Sequence, residues 1–403
     1  MARVWLYDRT REKAYRDAVA RAKTAGRVPP GRWQVRYYDR RGKLRAETLT
    51  TKSRAQDRRS DLEVSLQAGT YVDPAVAKVR FAEMAEKWLE SRHDVQPSTW
   101  WKYRELLDTH VLPQWGDLAL ADIDGEDIGL WVGKLIKARD EGGSGLGPAQ
   151  ARLAFRVLSM VLGWCVPRRL RVNPAQGVKL PVLPEAEHIY LTYDQVEALA
   201  DAASELRTKY NQASACSSIN RPLILLLAYT GMRWGEAAAL RVRNVDLVNR
   251  RVRVAATLYE VNGKHAEGMP KGGKRRTVPI PASVADELRP LVEHRDPDSR
   301  VFTTTRGNAL RKNNWRTREF LPAVAAAKID VEGLTPHKLR HTAASLAIAA
   351  GADVKVVQQM LGHADASMTL NVYGHLFPDR LDEVADILDK RRAEVVAERQ
   401  SAA

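Results

Sequence analysis

The stretch Thr335-Pro336-His337-Lys338-Leu339-Arg340-His341 gathers two imidazoles and a guanidinium into a short span. Thr335 suits a helix N-cap and Pro336 a first helical position, so the spacing predicts a helix opening here. At 3.6 residues per turn His337, Arg340 and His341 then share one face. Packing rarely needs such a set, whereas binding a phosphate does. Leu361-Gly362-His363 follows, and a predicted helix over 364–376 carries Tyr373. A tyrosine forms covalent intermediates once its phenol is activated. Arginines, histidines and one tyrosine, with no carboxylate cluster beside them, predict phosphoryl transfer through the protein itself, without a metal or other cofactor.

Such a reaction builds negative charge on phosphoryl oxygens, so positive donors must be in place beforehand. Arg233 follows the break Thr230-Gly231 at the end of an apolar helix, where the chain can aim it at a ligand. With Arg340 it forms a pair of forked donors able to grip two oxygens. Glu236, three residues on, is expected either to orient Arg233 or a histidine or to make an ordinary helical ion pair. Lys271 lies at a predicted hairpin tip and is a candidate general acid, with Lys274 as competitor. His337 is the candidate for exchanging a proton with Tyr373 and His363 for donating to the phosphate, while His341 and His375 read as structural. The spacing His337-x-x-x-His341 also resembles a zinc pair, but Lys338 stands where the metalloprotease motif needs glutamate.

The elements that must position these groups belong to a chain of 403 residues, long enough for two or three domains. Its net charge of +15 favours a polyanionic partner. Residues 1–78 hold nineteen Lys and Arg against nine Asp and Glu, which is +10 of that total. Two cysteines, Cys165 and Cys216, are too few for a disulfide framework and fit a reducing compartment. No apolar run approaches the roughly 20 residues that span a bilayer, and the start lacks a signal core. The expectation is a soluble intracellular, cytoplasmic protein that is not associated with membranes.

Periodicity divides the chain into a basic module (1–78), a helical bundle (79–180) and a third region (186–403). In the first, a helix over 11–25 precedes strands at 31–38 and 44–50, joined by a turn at 39–42, with a helix from Ser53 to Leu66 closed by Gly69. That small sheet carries Arg32, Arg36, Arg40, Arg41, Lys43 and Arg45, and a two-stranded ribbon of this kind can enter a DNA major groove. A linker at 70–79 leads to a helix whose Phe81, Met84, Ala85, Trp88 and Leu89 share a face. Further helices follow around 97–107, 126–139 and 149–166, with Trp100, Trp101, Trp115, Trp131 and Trp164 read mainly as core. A proline-stiffened linker at 179–185 ends this part. The third region opens on a helix capped by Thr192. It continues with a buried helix over 222–230, a short helix at 237–240, a hairpin of strands 252–259 and 276–280, a helix over 283–294 and a brief strand at 300–302. A charged helix over 378–398 closes the chain.

Thr230-Gly231-Met232-Arg233-Trp234-Gly235-Glu236, Pro270-Lys271 with Arg276-Thr277-Val278-Pro279-Ile280, His337-Lys338-Leu339-Arg340-His341, Leu361-Gly362-His363 and Thr369-Leu370-Asn371-Val372-Tyr373 resemble the tyrosine recombinase (phage integrase) family in order and spacing. The resemblance implies a multidomain, mainly α fold: a small sheet-and-helix arm-site module, a helical core-site bundle and an α+β catalytic domain. It implies that Arg233, Lys271, His337, Arg340 and His363 activate a phosphate and that Tyr373 is the nucleophile. Double-stranded attachment-site DNA and a homotetramer would be the partners, with a host DNA-bending protein and a directionality factor as further expectations. Integration of a mobile element is the expected function. A Xer-like dimer resolvase, or an architectural DNA-binding protein with a decayed site, is the alternative.

Overall fold

The computed structural model describes residues 4–39, 42–68, 71, 78–184, 189–207, 212–261, 263–270, 272–377 and 381–401. The chain divides into two compact units, Met1–Glu185 and Ala186–Ala403.

The first unit begins with strand β1 (Val4–Asp8), helix α1 (Lys13–Thr24), strands β2 (Trp33–Tyr38) and β3 (Leu44–Leu49) and helix α2 (Lys52–Gln67). The strands form an antiparallel sheet in the order β1-β2-β3, so the expected pair of strands has a third member that the sequence reading did not include. One face packs Val35 and Tyr37 against Ala55 and Leu62 of α2, as a half-buried strand's period of two requires. Thr51, not Ser53, caps α2, accepting the Arg54 N–H at 3.4 Å. Gly69 and most of the expected 70–79 linker lie outside the described residues.

Helices α3 (Phe81–Glu90), α4 (Pro97–Leu106), α5 (Gly125–Ile136) and α6 (Pro148–Cys165) form the rest of this unit around a second, separate core. Phe81, Met84, Ala85, Trp88 and Leu89 are all buried, which matches the face read from the sequence. Each fully buried side chain of this size contributes roughly 1.5–3 kcal/mol. Asp124 caps α5 through the Asp127 N–H at 2.8 Å, and Pro148 stands in the first turn of α6, where its missing N–H costs nothing. Trp88, Trp115 and Trp131 are core, whereas Trp101 and Trp164 are exposed.

The second unit opens with α7 (Tyr193–Ser204), held by a reciprocal capping box between Thr192 and Gln195. It packs on α8 (Ser217–Thr230), which runs longer than the apolar run alone suggested and keeps Pro222 inside. Helix α8 ends at Gly231, which has φ +64°. That left-handed conformation favours glycine, and a Cβ there would come within 2.5 Å of Leu361 Cδ2. Helix α9 (Trp234–Ala238) starts three residues earlier than read.

The expected single hairpin is two structures. Strand β5 (Arg251–Val254) pairs antiparallel with β8 (Arg276–Pro279) beside the short β4 (Val245–Asp246), while β6 (Thr257–Val261) and β7 (Lys264–Gly268) make a separate hairpin between them. The apparent run 252–259 is therefore two strands. Residues 300–302 form no strand; Arg300 makes only an isolated bridge to Arg241. The unit continues with helices that include α10 (Ala282–Val292), α11 (Lys312–Trp315), α12 (Lys338–Ala349), α13 (Val354–Leu361), α14 (Ala366–Tyr373) and α15 (Leu381–Ser401). A large core gathers around α7, α8 and the sheet, and a smaller one joins α12, α13 and α14.

Candidate active site

Helix α12 begins at Lys338 and not at Thr335. Residues 335–338 form a turn closed by the Lys338 N–H on the Thr335 carbonyl at 2.8 Å, and His337 takes the N-cap position. His337, Arg340 and His341 still gather at this helix start, with the His337 and His341 rings 5.3 Å apart, but they take different surroundings. His337 stands exposed at the rim, Arg340 points inward and is only 4% exposed, and His341 faces α14.

Arg340 is anchored by main-chain carbonyls. Its guanidinium donates to the oxygen of Gly231, where α8 stops, and to that of Leu361 at 2.7 Å, where α13 stops. Two helix ends with unsatisfied carbonyls thus supply the acceptors, and three N–H groups remain for a ligand. Burial, and then the Arg233 charge, press its pKa down to about 9, so it stays a cation at neutral pH.

Arg233 precedes α9, and Glu236 of that helix turns back to it. The Glu236 carboxylate accepts the Arg233 main-chain N–H at 2.9 Å and its Nη1 at 3.1 Å. Arg276, at the start of β8, donates to the same carboxylate through Nη1 at 2.9 Å and Nη2 at 2.7 Å, and through Nε to the Met360 carbonyl at 3.3 Å. Glu236 is therefore no ordinary helical ion pair, because one buried carboxylate fixes two arginines from different elements. Burial pushes its carboxyl up, yet the hydrogen bonds and charge of Arg276 and then Arg233 bring it below the usual range. Arg276, a strand and motif residue by sequence, has no site role predicted for it. It stands opposite the buried Val254 in the β5–β8 pair, on the same face of the sheet.

His363 follows Gly362, the left-handed end of α13, where a Cβ would meet Arg276 Cδ at 2.8 Å. Its Nδ1 lies 2.9 Å from Thr369 Oγ1. Burial, with the charges of Arg340, Arg233 and Arg276, pushes its pKa down to about 4, so at neutral pH it is an uncharged donor or acceptor. His337 is lowered too, by partial loss of water and then by Arg340, Lys312, Arg233 and Lys338. Beside it a cleft of about 440 Å³ opens, lined by residues including Arg233, Trp234, Tyr259 and Lys312.

Tyr373 is the last residue of α14 and is 2% exposed, packed with Ala344, Ile348, Val357 and Leu361. Burial raises its phenol to about 12, with Arg340 pulling down and Tyr190 pushing up. Its hydroxyl lies 3.0 Å from Nδ1 of His341. The histidine against the tyrosine is thus His341, read from sequence as structural, and not His337, which was expected to exchange its proton. Helical spacing alone does not say which of two histidines one turn apart reaches a phenol on another helix.

Lys271 lies outside the described residues; Lys274 is exposed. In the N-terminal module, Arg40 and Arg41 are likewise outside them. Arg32 binds Asp8 at 2.7 Å, Arg36 binds Glu12 at 2.8 Å and Arg45 binds Asp39 at 3.0 Å, while Lys43 is exposed. Three of the arginines expected to contact DNA are already paired with acids of their own module. The open face of the sheet carries Trp5, Tyr7, Arg36 and Tyr38, with Arg36 stacked 3.5 Å over the Tyr7 ring. Among the described residues no group of histidine, cysteine and carboxylate side chains is arranged to hold a metal ion. No helix among them is long and apolar enough to cross a membrane.

Comparison with known proteins places the chain in a family. Residues 190–380 match the phage integrase family, and residues 80–136 match the phage integrase N-terminal SAM-like domain. The chain is 30% identical to tyrosine recombinase XerC of Proteus mirabilis, over 62% of this chain and 75% of that protein. It is also 30% identical to tyrosine recombinase XerD of Vibrio vulnificus, over 53% of this chain, and that match spans 64% of the relative's length. Among solved structures, the fold is shared with the Tn1549 transposon integrase in complex with a circular intermediate DNA, at a TM-score of 0.63 and 18% identity over 77% of this chain and 99% of that one. It is shared as well with a lambda integrase tetramer bound to a Holliday junction, at 0.54 and 19% over 86% and 93%. A buried tyrosine and the arginine–histidine pocket beside it thus fall inside the matched region, and the chain belongs to the tyrosine recombinase (phage integrase) family.

Proposed function

We propose that this chain is a site-specific recombinase that cuts and rejoins duplex DNA, integrating and excising a mobile element. Tyr373 attacks a scissile phosphate, leaving a 3′-phosphotyrosyl link and a free 5′-hydroxyl. That hydroxyl on a partner duplex reverses the step, so the bond energy stays in the protein link and neither ATP nor metal is consumed. Arg233 and Arg340 hold the non-bridging oxygens, His363 and His337 donate to them, Glu236 keeps Arg233 aimed and Lys271 protonates the leaving 5′ oxygen. The observation that carries this reading is Tyr373 itself: its phenol lies under the field of Arg340, with its hydroxyl 3.0 Å from His341 of the same helix that carries Arg340.

Two rounds of exchange need four active sites, which favours a homotetramer on the DNA, the assembly in which the lambda integrase neighbour binds a Holliday junction. Residues 79–180 then grip the core site and residues 1–78 a second, arm-type site, with a host DNA-bending protein and a directionality factor as accessory partners. The Xer relatives favour a second reading, resolution of chromosome or plasmid dimers; the basic first module is the reason to prefer integration. The test is a nicked suicide duplex incubated with the protein in the presence of a chelator. A covalent adduct mapped to Tyr373, and lost in Tyr373→Phe while DNA binding persists, is the expected outcome. An adduct of undiminished yield from Tyr373→Phe, or a strict need for added divalent metal, refutes the reading.

A further inference from the structure

We propose that His341 is the general base of the cleavage step, taking the proton directly from the Tyr373 hydroxyl. The inference rests on the reading of Tyr373 as nucleophile and assigns a catalytic role that the motif histidine His337 would otherwise fill.

Geometry carries the assignment. The Tyr373 hydroxyl and His341 Nδ1 are 3.0 Å apart, within hydrogen-bond reach of the proton to be moved. The two rings lie 5.7 Å apart with their planes tilted by 54°. Among the described residues His341 is the one hydrogen-bond partner of that hydroxyl. His337 stands one ring further out, edge-on to His341 at 5.3 Å. Among the described residues, His337 at the N-cap of α12 lies beside His341, and the charges of Arg340 and Tyr190 act on the phenol. Helix α12 divides the labour between neighbours. Arg340 turns into the pocket between two helix ends, and the next residue turns to the tyrosine.

Need for a base follows from burial. A phenol raised to about 12 is ionised in only about one molecule in 10⁵ at neutral pH. Unaided attack would wait for that fraction. With its own proton on Nε2, His341 presents Nδ1 as acceptor. In the forward step the Tyr373 O–H bond breaks and its proton passes to His341 Nδ1. The oxygen lone pair forms the bond to phosphorus, the bond to the 5′ oxygen breaks, and that oxygen takes a proton from Lys271. In rejoining, the incoming 5′-hydroxyl returns its proton to the lysine, and the His341 imidazolium returns the other to the departing phenolate. Atoms and charges balance in both directions, and no other reactant is needed.

The experiment measures single-turnover adduct formation by the full-length protein on a nicked suicide duplex. It uses either the normal phosphodiester or a 5′-bridging phosphorothiolate, whose sulfur leaves without a proton. The wild type, His341→Ala, His341→Gln and Lys271→Ala are compared, with thermal melts of each. His341→Ala is expected to lose about 10²–10⁴-fold in rate, equally on both substrates, and to recover partly with added imidazole in its unprotonated form. His341→Gln can keep the hydrogen bond and the packing but cannot take up the proton, so it should melt like the wild type and be just as slow; it decides the matter should the alanine variant fail to fold. Lys271→Ala should be restored by the phosphorothiolate. A His341→Gln rate within about threefold of wild type means that the histidine only packs, and overturns the proposal. So does a His341→Ala deficit that ignores imidazole or disappears on the phosphorothiolate. Wild-type protein that forms no adduct at all would instead sink the nucleophile reading, and this inference with it.

Discussion

Replacing Glu236 with glutamine changes one atom and disturbs two arginines. The carboxylate accepts from the Arg233 main chain and side chain and from both terminal nitrogens of Arg276, at 2.7–3.1 Å. An amide keeps one acceptor and turns an N–H₂ group toward guanidinium donors, so part of this set becomes donor facing donor. Removing one partner of a buried pair costs about 3–5 kcal/mol. Water reaches Arg233, whose side chain is 25% exposed, so the lower end applies. A loss of about 3 kcal/mol in a unit of this size lowers its melting temperature by about 6–12 °C. Arg233 also loses its aim, and one misplaced donor costs cleavage about 10²–10³-fold. Scanning calorimetry gives the first number, and adduct formation well below the melt gives the second. The pH dependence supplies an independent sign. The Glu236 carboxyl is held below its ordinary value in the fold. Its stabilisation is therefore complete above the unfolded glutamate pKa of about 4.3 and is lost as pH falls through the lower folded value. The glutamine variant should lack that acid loss. A variant that melts within about 2 °C of wild type and cleaves at full rate would refute the claim that one carboxylate organises both arginines.

Arg340→Lys should lower cleavage by about 10²–10³-fold, because an ammonium cannot bridge the Gly231 and Leu361 carbonyls and still reach a phosphate; undiminished adduct formation would show that the fork is unnecessary. His363, pushed down to about 4 in the fold, titrates nearer 6.5 when unfolded. The unfolded state thus binds more protons between those values, stability falls as pH drops through that window, and His363→Gln should flatten this part of a melting-versus-pH curve. In the N-terminal module, Arg36→Ala removes the partner of Glu12 and the stack on Tyr7; it should destabilise the module as well as weaken DNA binding, whereas Lys43→Ala should only reduce the salt slope, by about one ion. Equal melts for both variants would contradict this division.

How much of this was legible depends on the range of the interaction. Capping at Thr192, the stop at Gly231 and the apolar face of α3 are local, and the residues themselves carry them. The hairpin of β6 and β7 was hidden because Lys264–Gly268 is polar and lacks β-branched residues, and its order comes from pairing with β6. Strand β1, by contrast, carries its own strand signal in Val4, Trp5 and Tyr7 and pairs with β2. The onset of α12 shifted because Thr335 closes a turn before the helix begins. At the site, residue types were readable and partners were not. Nothing near Glu236 in sequence reveals that Arg276 will share it, and a count of arginines in the first module does not reveal that Arg32, Arg36 and Arg45 are already satisfied by acids.

The sharing of one carboxylate among the pocket's cations also fixes a charge balance. Arg233, Arg276 and Arg340 with Glu236 leave two positive charges uncompensated, and His363 adds none near neutral pH because its pKa is pushed down to about 4. A phosphodiester at rest carries one negative charge, and it carries two once a phenolate has added to phosphorus. The excess positive charge of these four side chains thus meets more negative charge in the pentacovalent species than in the bound linkage, which is the differential that accelerates a step. A linkage whose charge has been removed by methyl substitution would reach only one negative charge at that point. For such a substrate the third guanidinium becomes surplus, and the pocket's dependence on it should fade.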